Sequence, residues 1–300
     1  MSKPLTRRDA LQIMGLGIIS PVFMNQQAIL KRVIPSTGET LPAVGLGTWR
    51  QFDVGTSASE RQPLAEVLKN MNIKGGMTID SSPMYAPAEE VVGDLTSEIN
   101  IADKYFYATK VWTRGKEEGI QQMEASMKKM RRKTIDLMQV HNLVDWQTHL
   151  ATLRDWKQQK KIRYIGVTHY TDSSHDDLER IVRTEKPDFV QCNYSIRNRH
   201  AENRLLNSAK DNGTAVIINQ PFETGFLFNH VQGKTLPPWA SEYGIKNWAQ
   251  YFLKYLLSHA AVTCVIPGTS DPVHVVENME AMLGALPDEK GRKKMIEYIS

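Results

Sequence analysis

From about residue 44 onward, short apolar runs alternate with longer stretches whose apolar residues recur every three or four positions. The short runs are VGLGTW (44–49), MTIDSS (77–82), YFYATKVW (105–112), IDLMQVHN (135–142), YIGVTHY (164–170), FVQCNYS (189–195), AVIINQP (215–221) and TCVIPGT (263–269). Short continuous apolar runs bounded by helical patterns predict strands buried on both faces, as in a parallel sheet. Stretches 88–99, 117–130, 146–159 and 247–259 each carry one apolar face and predict helices packed on that sheet. Pro187 before a strand and Gly213 after a helix are natural breaks. Eight strand–helix units in succession predict an α/β fold, the (β/α)8 barrel. An open doubly wound sheet shares the alternation but would be expected to carry G-x-G-x-x-G near its first strand. Here GLGTWR ends in Arg50, so the barrel is favoured.

Bulk properties agree with one such domain. The chain has 300 residues, of which 41% are hydrophobic and 23% charged, ordinary values for a globular protein. The net charge of +4 is accounted for by Lys3, Arg7, Arg8, Lys31 and Arg32 against Asp9. The remainder is neutral, which argues against a nucleic-acid partner. The basic cluster from Lys128 to Lys133 reads as a helix C-terminus favoured by the helix dipole. Cys192 and Cys264 fall in predicted core strands and read as small apolar residues. No CxxC or HExxH pattern is present, and no metal is expected.

Polar chemistry stands at the ends of consecutive predicted strands: Asp80 and Tyr85 in IDSSPMY, Lys110 in FYATKVW, His141 in DLMQVHN. A barrel builds its active site at the carboxyl ends of its strands. A phenol has an ordinary pKa of about 10; a nearby ammonium lowers it, and a carboxylate can hold that ammonium. Such a tyrosine could protonate a carbonyl oxygen while hydride reaches the carbon. Taken singly, each residue has a plainer reading. Asp80 could cap the helix that starts near Pro87, His141 could be a satisfied core histidine, and Tyr85 and Lys110 could be surface residues.

Together with IPSTGETLPAVGLGTW, YIGVTHY, FVQCNYS and VIPGTSDPVHVVEN, these runs closely resemble the aldo/keto reductase family from about Val33 to Asn278. The resemblance implies a (β/α)8 barrel entered through an N-terminal β-hairpin and followed by a short C-terminal helix. It implies reduction of a small aldehyde, ketone or sugar-type carbonyl by NADPH, with NADH also admissible. Tyr85 would be the general acid, Lys110 and Asp80 would tune it, and His141 would orient the carbonyl. A catalytically weak, dinucleotide-bound sensor or partner subunit is the alternative.

On the cofactor side, Thr168 and His169 stand where the family more often has Ser-Asn, which with Gln191 would hold the nicotinamide carboxamide. Asn219 replaces the usual stacking aromatic. Pro221, Phe222 and Gly225 resemble the loop bordering the pyrophosphate. Gly268, Thr269, Ser270, Glu277 and Asn278 resemble phosphate and adenine contacts, with His274 where an arginine usually grips the 2′-phosphate. That replacement implies weakened selectivity for NADPH. Trp49 and Trp112 are expected to line the substrate pocket.

Residues 1–30 form a separate unit. LTRRDALQIMGLGIISPVF joins twin arginines to a moderately apolar segment and resembles a twin-arginine export signal, which implies the twin-arginine export machinery as a partner and a periplasmic location. The apolar stretch is interrupted by Gln12 and Pro21 and is short for a membrane span. Only Ala28 offers a small residue near a cleavage site, so retention as a tether stays open. An ordinary N-terminal helix is the alternative. The barrel is expected over 31–300.

Overall fold

The computed structural model describes residues 28–300; the twin-arginine motif lies outside the described residues. The chain enters through an antiparallel hairpin of β1 (Lys31–Val33) and β2 (Thr40–Pro42). Eight parallel strands follow: β3 (Leu46–Gly47), β4 (Thr78–Asp80), β5 (Phe106–Val111), β6 (Ile135–His141), β7 (Ile162–Thr168), β8 (Phe189–Asn193), β9 (Ala215–Asn219) and β10 (Val262–Val265). They hydrogen-bond in sequence order from β3 to β10. Parallel bridges Val44–Val265 and Gly47–Gly268 then join the first strand to the last and close the barrel. The closure seam demands glycine, because a Cβ on Gly47 would lie 2.9 Å from the Ile266 carbonyl oxygen.

The crossover helices are α1 (Ala58–Ile73), α2 (Ala88–Glu98), α3 (Lys116–Lys129), α4 (Trp146–Gln158), α5 (His175–Glu185), α6 (Leu205–Asp211), α7 (Phe226–His230) and α8 (Trp248–Leu257), the last two sharing one connection; α9 (Pro272–Glu280) follows the last strand and α10 (Glu289–Ile299) is the terminal helix. Each buries its apolar stripe on the outward side chains of the strands, forming the larger core. The basic cluster lies at the end of α3, where Arg131 pairs with Asp94 and Arg132 with Asp103. Cys192 and Cys264 are buried free thiols.

Strand residues that point inward fill the barrel in layers. Ile34 and Leu41 of the hairpin plug the lower end against Phe106, Tyr164 and Phe189. Ala108, Leu137, Ile217 and Cys264 continue this inner apolar core. The same inward faces later carry Asp80, Lys110, Gln139 and Gln191, all buried. The first two strands are shorter than their sequence runs, because the chain turns as the site begins. Thr48 N–H still donates to Asp80 O at 3.0 Å, and Ser81 N–H to Ala108 O at 2.9 Å.

One buried acid outside the barrel has a consequence for stability. Glu89 on α2 is buried, accepting from Thr109 Oγ1 at 2.5 Å, while its Oε2 has no partner among the described residues. Burial, only partly offset by Thr109, pushes its pKa above the ordinary 4.5. The folded state therefore keeps a proton that the unfolded state has lost, and stability falls as pH rises above 4.5 toward the raised value. Glu89→Gln should raise the melting temperature at pH 7–8 by roughly 2–4 °C, the shift about 1 kcal/mol gives in a domain of this size class. The gain should vanish below about pH 4.5; scanning calorimetry at both pH values checks this.

Candidate active site

Asp80 ends β4 and faces inward beneath the barrel mouth. Its Oδ2 accepts from Lys110 Nζ at 2.6 Å, with both side chains essentially out of solvent. Its Oδ1 accepts from Gln139 Nε2 at 3.0 Å and from Gln191 Nε2 at 2.9 Å. Lys110 Nζ also donates to Ser81 O at 2.6 Å. A buried ion pair is tolerable only when such additional bonds satisfy its remaining donors and lone pairs. Gly166 makes room for this layer: a Cβ there would meet Gln139 Cγ at 2.8 Å. The carboxylate is thus a barrel-centre anchor and not a helix cap. Pro87, which precedes α2, makes no side-chain capping bond.

Tyr85 lies on the β4–α2 loop, with the Lys110 ammonium 5.0 Å from its ring centroid. Burial raises the phenol above its ordinary 10.0; Lys110 opposes this and Asp80 adds to it. The lysine acts on the tyrosine in the expected direction, but burial outweighs it, so the hydroxyl is held protonated at neutral pH. Burial is also the largest influence on Lys110 and disfavours the ammonium, yet Asp80 and Tyr85 together keep its pKa above 10.5.

His141 ends β6, its ring edge-on to Tyr85 with centroids 6.0 Å apart. Burial above all, with Lys110 and His169 adding, lowers its pKa to about 3, so the imidazole is neutral. Its Nδ1 lies 3.1 Å from Ser82 Oγ, which also accepts from Met84 N–H at 3.3 Å. The Ser82 hydroxyl can donate to Nδ1, and in that tautomer the ring proton sits on Nε2, the nitrogen left to donate into the cavity.

These groups meet at a cavity of about 580 Å3 lined by Trp49, Asp80, Tyr85, His141, Thr168, Gln191, Pro221, Phe222, Gly225 and Gly268, among others. All ten are residues singled out in the sequence. Thr269 is buried beside it and accepts from Asp271 N–H at 3.1 Å. Ser270, Glu277 and Asn278 lie on or before α9 but not in the cavity wall, and His274 is exposed on that helix. Asp271 caps α9 by accepting from Val273 N–H, and its Oδ2 lies 3.9 Å from His274 Nδ1.

Two residues take positions other than the sequence suggests. Trp112 is not in the cavity wall: its backbone is tied on both sides to the Gln122 side chain on α3. His169 turns into its own loop, where Nδ1 accepts from Tyr170 N–H at 3.0 Å and Thr171 N–H at 3.3 Å. Arg50, Met84, Asn142, Tyr170 and Phe228 also line the cavity, and sequence reasoning missed them, as it missed Gln139 and Ser82. Gln139 was within reach: it lies two residues before His141, hence on the same strand face.

The residues fit a nicotinamide dinucleotide. The cavity wall includes Tyr85, Gly225 and Gly268, and Asn142 Oδ1 and Asn219 Oδ1 are buried acceptors without donors among the described residues. Thr168, Gln191, Pro221, Phe222 and Gly268 are the side of the cavity that would hold it.

The aldo/keto reductase family model matches residues 43–293, and the chain belongs to that family, whose members are oxidoreductases. Methylglyoxal reductase YeaE of Escherichia coli (strain K12) is 28% identical over 257 residues, covering 83% of this chain and 88% of the relative. The NADH-specific methylglyoxal reductase of the same organism is 24% identical, covering 82% and 91%. Among solved structures, an aldo/keto reductase from Klebsiella pneumoniae in complex with NADP and acetate superposes with a TM-score of 0.74 at 25% identity, covering 87% of this chain and 93% of its own.

The His141 geometry carries a direct test. With a pKa of about 3, the ring should show no titration step between about pH 5 and 8 in nitrogen NMR, where an ordinary histidine would titrate. Its proton should sit on Nε2 alone. Ser82→Ala should leave the fold intact and populate both tautomers.

Proposed function

We propose that the chain reduces a small aldehyde, ketone or sugar-type carbonyl to the alcohol with NADPH or NADH. The observation that carries this is the convergence of Tyr85, Lys110, Asp80 and His141 at one end of the barrel beside a cavity large enough for a nicotinamide and a small carbonyl. A dinucleotide held by Thr168, Gln191, Pro221, Phe222 and Gly268 would supply the hydride for the carbonyl carbon. His141 Nε2–H holds the carbonyl oxygen, and a neutral imidazole does this without giving up its proton. The Tyr85 hydroxyl transfers its proton to that oxygen as the hydride arrives. Burial keeps the phenol loaded beforehand, and the Lys110 ammonium stabilises the phenolate left behind. Asp80 holds Lys110 in place; Gln139 and Gln191 hold Asp80.

Both Escherichia coli relatives described above are named methylglyoxal reductases, which supports a small reactive carbonyl as substrate. Solved relatives hold NADP or NADPH, while one relative is NADH-specific. Discrimination between these cofactors needs a cation for the 2′-phosphate. His274 is exposed and faces the Asp271 carboxylate at 3.9 Å, an arrangement that competes with a phosphate for the imidazole. NADPH with usable NADH is the cofactor reading this supports.

Residues 1–30 are proposed to export the chain through the twin-arginine route to the periplasm, on the strength of Thr6-Arg7-Arg8 and the apolar segment after it. A site assembled from eight strands would suit a route that carries folded proteins.

Tyr85→Phe removes one hydroxyl. It should preserve folding and dinucleotide binding while lowering turnover of the best carbonyl by a factor on the order of 10² or more; parental turnover in the pure variant would refute the assignment. Replacing Arg7 and Arg8 by Lys should strand the chain in the cytoplasm of its native host. Fractionation that finds the unmodified chain wholly cytoplasmic would sink the export reading.

A further inference from the structure

We infer that Arg50 sets substrate specificity by binding the acid group of a carbonyl compound that carries a carboxylate or phosphate at its far end. The inference rests on the reductase reading above and names a substrate class within it.

The cavity wall contains two side chains that carry charge, Arg50 and Asp80. Asp80 is compensated by Lys110 at 2.6 Å, and the His141 ring is neutral. Arg50 is not compensated. It is exposed; among the described residues its guanidinium has no acceptor partner and lies on the Trp49 ring, with Cζ 4.3 Å from the ring centroid. Stacking uses the face of the guanidinium and leaves its N–H donors pointing outward in the plane. That is the fork which holds a carboxylate or phosphate in a bidentate pair. The uncompensated charge of the wall therefore belongs to one group whose donors are free.

The local backbone builds this arrangement. Gln51 N–H and Phe52 N–H both donate to Thr48 O, at 3.1 and 3.0 Å, and Phe52 is buried. Within that tight turn Arg50 takes a left-handed backbone (φ 61°), uncommon outside glycine, and its side chain lies back over the preceding indole. Gln51 fills the side of the turn next to Gly268, where a Cβ on that glycine would lie 3.3 Å from Gln51 Cγ. Thr48 fixes the turn to β4, its Oγ1 lying 3.0 Å from both Asp80 O and Ser81 Oγ. The loop after β4 carries Tyr85, so the cation is mounted beside the group that supplies the proton. Thr168, Gln191, Pro221 and Phe222 belong instead to β7, β8 and the loop after β9. A substrate whose carbonyl oxygen is held by Tyr85 and His141 thus meets a positive charge with its other end.

The test uses the full-length protein with NADPH and acids of increasing length, each against a neutral counterpart. Glyoxylate, 4-oxobutanoate and 6-oxohexanoate are compared with their methyl esters, and glycolaldehyde phosphate with glycolaldehyde. The parent should prefer the acid at the length that spans from Tyr85 to Arg50, by about tenfold or more in kcat/KM and chiefly through KM. In Arg50→Gln the acid and its neutral counterpart should be used alike. Arg50→Lys keeps a point charge without the fork and should retain part of the preference. Comparing substrates on one protein cancels any general loosening. Dissociation constants for NADPH, read by tryptophan fluorescence, separate the other source of an oxyanion. A loss shared equally by acid and neutral substrate, with weaker NADPH binding, assigns Arg50 to the diphosphate of the dinucleotide and overturns the inference. A preference for acids that survives Arg50→Gln overturns it as well. Turnover of the neutral substrates by the parent, with no preference for an acid at any length, sinks this inference alone. If the parent turns over neither kind, the reductase reading falls and this inference with it.

Discussion

The Asp80 carboxylate is the group on which the site's geometry depends. It is buried, charged and able only to accept, so every side chain touching it must present a donor. Lys110 supplies the countercharge, and Gln139 and Gln191 reach it from β6 and β8. Removing one partner from such a buried pair typically costs about 3–5 kcal/mol, because the other charge is left uncompensated. The arrangement therefore locks residues from four strands, β4, β5, β6 and β8, into one set of rotamers. Orientation spreads outward from it: Gln191 fixes Asn219, and Lys110 sits against the Tyr85 ring.

This polar layer is possible because the layers beneath it are not polar. The hairpin plug and the aromatic group of Phe106, Tyr164 and Phe189 close the lower end of the barrel, so water reaches the anchor from the mouth alone. The low-dielectric surroundings that make an unpaired charge costly also strengthen each hydrogen bond around Asp80. They set the protonation states as well. Tyr85 keeps its proton and His141 remains neutral chiefly because both are withdrawn from solvent.

Much of this was legible in the sequence. Eight apolar runs marked the strands, and Asp80, Tyr85, Lys110 and His141 stood out as polar residues at strand ends. What the sequence hid is direction. His169 follows Thr168 in GVTHY, yet an extended strand sends neighbours to opposite sides, and its ring caps its own loop. Trp112 has the inward parity of Lys110, but β5 ends at Val111 and the Gln122 side chain holds the Trp112 backbone, leaving it outside the cavity wall. Ser82 was hidden for another reason: its partner His141 belongs to a different strand, and no local spacing announces a contact made across the barrel. The cofactor side was least legible, since phosphate and adenine contacts depend on loop paths and not on strand period.

The closure seam has a consequence for how the chain becomes an enzyme. Strand β3 near the start of the described residues meets β10 near their end through two bridges, while each intervening pair forms between neighbours in sequence. Joining distant segments carries the largest loop-closure entropy and comes late in folding. Gly47 and Gly268, the residues of one seam bridge, are also cavity wall. A ribosome-bound chain that still lacks β10 can pair β3 through β9, and so place Asp80, Lys110, Gln139 and Gln191 together, but it has an open slot where the dinucleotide side of the cavity belongs. Of the wall that would hold the dinucleotide, Thr168, Gln191, Pro221 and Phe222 precede β10 and Gly268 follows it, so that wall is complete only when the seam closes.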